Sequence, residues 1–142
     1  MYEDRNAPNS QISQKIFGYF SFVYGPLRVR LLMRSYARHQ GAGASVGTIL
    51  ADIKTNDSSE LSDNTVYDYI KALKRTFVIE DMPAWNPNIR SKTAIRTSDT
   101  RYFIDPCIET AALGLGPNDL LNDLETMGLM FETLCIRDIR VY

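Results

Sequence analysis

Arg30, Arg34 and Arg38 recur every four residues, so a helix carrying them presents three guanidiniums along one side, a pattern suited to phosphate. A second basic group follows at Arg90, Lys92, Arg96 and Arg101. Gly41-Ala-Gly-Ala-Ser-Val-Gly-Thr48 invites comparison with a phosphate-binding loop, but such a loop ends in Lys-Ser/Thr, and no lysine stands here. It reads as a turn between helices, and no nucleotide cofactor is expected. The one histidine, His39, has no second histidine or cysteine near it, which speaks against a metal cluster and a Ser-His-Asp triad. Asp105 and Glu132 are the carboxylates to choose if metal chemistry is latent. Asp105, before Pro106, also suits a helix cap, and Glu132 is an odd carboxylate inside an apolar helix.

These groups must be positioned by a chain of 142 residues, enough for one domain or two small ones. The apolar share is 44% and the charged share 23%, the composition of an ordinary soluble globular protein. Net charge is −1, so bulk charge names no partner, but its distribution is uneven. Residues 27–101 hold 12 Lys/Arg against 8 Asp/Glu, whereas residues 102–136 hold 6 acids and no base. A basic centre beside an acidic C-terminal part suggests two faces with different partners. Cys107 and Cys135 show no Cys-x-x-Cys spacing and are expected as buried free thiols in a reducing compartment. Residues 1–15 are polar and unlike a secretion signal. The aromatic run 16–24 is far shorter than the roughly 20 apolar residues of a membrane helix. The expectation is a cytoplasmic protein with no membrane partner.

Along the chain, Gly25-Pro26 punctuates the end of an N-terminal extension (1–26). Helical spacing predicts a helix over Leu27–Gln40, with Leu27, Leu31, Leu32, Ser35 and Tyr36 on its inner side. Ser45 is placed to cap a second helix, Val46–Ile53. Ser62 caps a third, along which Val66, Tyr69, Ile70, Leu73 and Phe77 keep helical register. Residues 77–82 and 100–104 read as strands around a basic connector. Helix, helix, helix, strand, loop, strand is the layout of a winged helix-turn-helix. In that layout Asn64, Thr65 and Lys71 would reach DNA bases, while the arginine stripe and Arg90, Lys92 and Arg96 would touch phosphates. Asp63 and Asp68 stand among those bases and oppose phosphate, so protein docking competes with DNA contact. A short helix is predicted over Cys107–Leu113. A long one follows from Asp119 to Tyr142, with an apolar stripe too wide for a solvent-facing helix.

Residues 62–73, 77–85, 88–92, 100–106 and the Gly-Leu-Met-Phe-Glu of 128–132 together resemble a family of bacterial and archaeal proteins. It is the domain of unknown function (family 4143) that forms the C-terminal part of many AAA-type ATPases. The resemblance covers about residues 27–142. It implies a winged-helix-like domain (27–106) and then the helical start (107–142) of a restriction-endonuclease-like domain, in which Glu132 is a vestigial metal-site residue. Such relatives carry an ATPase module first, and an Asp and a Glu-x-Lys on later strands; this sequence has neither. The expectation is therefore an α+β, mostly helical fragment with no catalytic residues, metal or cofactor. It would be an accessory module contacting DNA or a protein partner. The alternatives are a nuclease remnant, or a homo-oligomer formed through residues 16–24 and 120–141.

Overall fold

The computed structural model describes residues 25–56, 61–84 and 98–142. The N-terminal extension with its aromatic run, the turn at 57–60, and the connector segment holding Arg90, Lys92 and Arg96 lie outside the described residues. Six helices occupy 68% of what is described: α1 (Pro26–Arg38), α2 (Val46–Asn56), α3 (Asp63–Arg75), α4 (Pro106–Leu113), α5 (Pro117–Asn122) and α6 (Leu124–Val141).

α3 forms for the reasons its residues suggest. The Ser62 hydroxyl accepts the Thr65 N–H at 3.2 Å, Asp63 sits in the first turn, and Lys74 and Arg75 occupy the last. Leu61 before the cap and Val66 in the second turn are both buried, as in a hydrophobic staple. Ser45 caps the start of α2 in the same way, accepting the Thr48 N–H at 3.1 Å. α1 differs in its face. Val29, Leu32, Met33, Tyr36 and Ala37 are buried, whereas Leu27 is exposed and Leu31 half-buried. Two apolar stripes compete on this helix. The one chosen brings the Tyr36 hydroxyl onto Asp81 and the Tyr36 ring edge-on to Phe103, with centroids 5.5 Å apart.

The two predicted strands shrink to isolated antiparallel bridges, Ile79 with Phe103 and Met82 with Thr100. Half of the first β-like run is consumed in ending α3. Thr76 caps the helix, Phe77 takes a left-handed φ of 55°, and the Val78 N–H returns to the Leu73 carbonyl at 3.0 Å. The second segment is shared between two neighbours. The Glu80 and Met82 N–H groups donate to the Tyr102 and Thr100 carbonyls at 2.9 and 2.8 Å, while the Arg101 N–H donates to the Ala42 carbonyl at 3.1 Å. Among the described residues there is thus no continuous strand, and the expected α+β class gives way to a nearly all-helical one.

The core runs from α1, α2 and α3 to Val78, Ile79 and Phe103, and α4 lays Ile108, Ala112 and Leu113 against it. α4 packs on α1 and α6, so the residues after 106 share the body of the domain. The predicted long terminal helix is broken at Asp123. This residue leaves helical geometry (φ −128°, ψ 85°), and its carboxylate accepts the Thr126 N–H at 3.1 Å, which restarts the chain as α6. Gly41, at φ 69°, lies so close beneath α6 that an added Cβ would sit 3.1 Å from Leu129.

Candidate functional site

Three polar or apolar groupings stand out. The first is a cleft of about 230 Å³ between α1 and α2, lined by Leu31, Arg34, Ser35, Arg38, Asp52 and Ile53. Arg38 pairs with Asp52, and this hydrogen bond raises the guanidinium's pKa and holds the carboxyl below its usual range. Arg34 is exposed at the cleft rim. Arg30 is exposed and already engaged. Arg38 is therefore spent on its own fold.

On α3, Asn64, Asp68 and Lys71 are exposed on the side away from Val66, Tyr69, Ile70 and Leu73. Thr65 is half-buried, with its hydroxyl 2.9 Å from that of Ser62. Lys74 turns the other way, its Nζ 2.7 Å from Asp81. Asp81 is a hub that sequence reasoning missed. Its almost fully buried carboxylate also receives the Tyr36 hydroxyl and Arg101, whose Nε donates to the Ala44 carbonyl at 2.9 Å. Burial first, then the adjacent carboxylate, drives the Tyr36 hydroxyl's pKa far upward. Arg101, expected among connector bases, is buried here as a structural cation.

The second grouping joins α1, α4 and α6. Glu109 is 1% exposed, and burial pushes its carboxyl up to about 7. Its oxygen lies 3.4 Å from the Thr133 hydroxyl, which in turn accepts from the Gln40 side chain. The only sequence signal was a carboxylate within Cys-Ile-Glu-Thr-Ala-Ala-Leu, otherwise an apolar helix. Glu132, the proposed vestigial ligand, accepts the Tyr102 hydroxyl instead. Tyr102 is pushed up to about 12 by burial and by that carboxylate. Among the described residues no three His, Cys, Asp or Glu side chains gather as a metal site. Asp105 accepts the Cys107 N–H at 2.7 Å as the cap of α4 and pairs with Arg137 at 2.8 Å. Burial alone would raise its carboxyl, but these contacts hold it low. His39 only turns back on α1, Nδ1 standing 2.8 Å from the Ser35 carbonyl. Cys107, expected buried, is exposed, because the start of α4 aims it outward; Cys135 is half-buried.

The third grouping is the outer side of α5 and α6. Leu121 (65% exposed), Leu124 (71%), Met127 (43%), Phe131 (64%) and Ile139 (74%) face away from the domain. α6 is held from beneath by a few contacts: buried Met130 and Thr133, Tyr102 to Glu132, Asp105 to Arg137, and Glu80 to Arg140 at 3.0 Å.

A family described as a domain of unknown function, DUF8612, matches residues 16–119. The chain belongs to this family. Nothing links DUF8612 to AAA-type ATPases, so the ATPase association implied by the sequence resemblance gains no support. The DUF8612 stretch contains α1 to α4 with both polar clusters' main-body partners, Asp81 and Glu109, and α6 follows it. No curated protein and no solved structure matches the chain. No helix among the described residues is long and apolar enough to cross a membrane.

Proposed function

We propose that this chain is a non-enzymatic binding module that docks a protein partner on the outer face of α6, continued by Leu121 of α5. One observation carries the reading: large apolar side chains stand in water along that face while the rest of the helix is anchored to a closed core. Contiguous exposed apolar surface of this kind marks interaction sites far more often than it marks ordinary surface. The polar residues with unusual surroundings have structural duties. Asp81 and Arg101 hold the paired segments, Asp105 caps α4, and Glu132 anchors α6 through Tyr102.

The test compares proteins captured from the native cells by the unchanged chain and by Phe131→Glu, once equal thermal melts show that both are folded. A partner retained by the first and lost by the second is the expected result. Identical capture refutes the reading.

DNA contact is the second reading, and it has one specific observation in its favour. Antiparallel bridges follow three helices, as in a winged helix, and Asn64 and Lys71 share an exposed side of α3. Such binding would weaken by roughly 0.9 log unit per log unit of salt for each phosphate neutralised. Fluorescence anisotropy with duplex DNA separates the two readings: a steep salt slope that flattens in Arg34→Ala favours DNA, and a flat response favours docking.

A further inference from the structure

We infer that the outer face of α6 takes a basic amphipathic helix of a partner protein, apolar stripe on apolar stripe, with lysines or arginines against carboxylates at the rims; this rests on the docking reading above. The uneven charge of the sequence decides among occupants. Residues 102–136 hold six acids and no base. The fold spends two of these acids: Glu109 is enclosed in the core beside α6, and Asp105 pairs with Arg137. The other four, Asp119, Asp123, Glu125 and Glu132, are all exposed and lie on α5, on α6 or at the joint between them. The contacts of three are with neutral groups: the Gly116 N–H for Asp119, Thr126 for Asp123 and the Tyr102 hydroxyl for Glu132. Among the described residues no salt bridge reaches any of the four.

The bases of α6 do not cancel this charge, because they sit on its other side. At 3.6 residues per turn, Arg137 and Arg140 fall within about 40° of Thr133, the residue of α6 turned into the core. There they meet Asp105 and Glu80. Leu124 and Phe131 fall about 180° and 160° from Thr133, with Met127 and Ile139 on the two flanks. Glu125 and Glu132 border the Ile139 flank, and Asp138, which shares Arg137 with Asp105, borders the Met127 flank. The face is thus an apolar stripe with carboxylates on both rims. That sign repels nucleic acid and an anionic membrane surface, and a second copy would bring the same carboxylates to the seam. It attracts a cationic partner. The partner segment is a helix because α6 offers side chains only: its backbone is bonded within itself, so whatever lies on it must satisfy its own N–H and C=O groups. The 18 residues of α6 give such a helix about 27 Å of track.

Two synthetic helices of the length of α6 serve as probes, identical in their leucine stripe, with lysine on both rims of one and glutamate on both rims of the other. Fluorescence anisotropy, with the full chain titrated from about 0.1 µM to about 200 µM, reads their affinities. The lysine helix should bind at least about tenfold more tightly than the glutamate helix, and the difference should shrink as salt rises. Glu125→Lys with Asp138→Lys should weaken the lysine helix at least about tenfold and strengthen the glutamate helix. Leu124→Ser with Phe131→Ser should lose both helices. Asp63→Asn with Asp68→Asn, on the exposed side of α3, should change neither. All these positions are exposed, and equal thermal melts verify folding. Equal or inverted affinity for the two helices, or as large a loss from the α3 pair as from the α6 pair, overturns the charge assignment. So does a wild type that sediments as a concentration-dependent dimer dispersed by Phe131→Ser, since a second copy then holds the face. If neither helix binds while Phe131→Glu still loses a captured partner, the basic partner is overturned and the docking reading stands. Neither helix bound, with captures unchanged by Phe131→Glu, overturns both.

Discussion

Replacing Glu109 with glutamine probes the buried junction of α1, α4 and α6. In the folded chain this carboxyl is raised from 4.5 to about 7, chiefly because burial penalises its charged form. Unfolding releases it to its ordinary range, so between those values the folded chain binds more protons than the unfolded one. Stability contributed by the neutral carboxyl is fully present below about 4.5 and is lost as pH rises through about 7. At 1.36 kcal/mol per pH unit, that interval is worth about 3 kcal/mol, a large share of a typical total of 5–15 kcal/mol. Glutamine keeps the shape and the contacts to Gln40 and Thr133 but carries no charge. Glu109→Gln should therefore match the unchanged chain near pH 4.5 and exceed it by up to about 3 kcal/mol at pH 8. Urea unfolding followed by far-UV circular dichroism, for both proteins at each pH, isolates the difference and cancels all other titrations. A difference that stays flat across this range refutes the burial argument.

Three further substitutions follow from single contacts, each read by the same unfolding assay. Asp81→Ala leaves the buried Arg101 guanidinium without its carboxylate and should cost about 3–5 kcal/mol. Ser62→Ala removes the cap of α3 and should cost about 1 kcal/mol. Phe77 is exposed and held at a left-handed φ, so Phe77→Gly should be neutral or stabilise the chain by up to about 1 kcal/mol; a clear loss would mean that its ring is held by contacts.

Helices whose signals are local were readable in the residues. Ser62 and Ser45 cap what they were expected to cap, Asp105-Pro106 opens α4, and Gly114 closes it at φ 73°. Each such signal acts within one turn, over atoms already adjacent along the chain. The strands were not readable in this way. Phe77-Val78-Ile79 has the composition of a strand, but Val78 is drawn into ending α3, and residues 101–103 divide their hydrogen bonds between two neighbours. Both outcomes depend on what lies beside the segment, which composition does not record.

The same division holds for the candidate sites. By itself the sequence determined three helices of the core, the serine caps of the second and third, the arginine stripe, and an apolar terminal stripe wider than one buried face requires. Only the tertiary structure decided which arginines are spent: Arg38 on Asp52, Arg101 on Asp81. It also decided that Glu109 lies in the interior beside Thr133, that Glu132 is a tether for α6, and which side of that helix faces water. The physical reason is range. A cap or an amphipathic repeat is encoded within a turn or two, whereas a carboxylate's partner and dielectric are set by residues distant along the chain, brought near only when it packs.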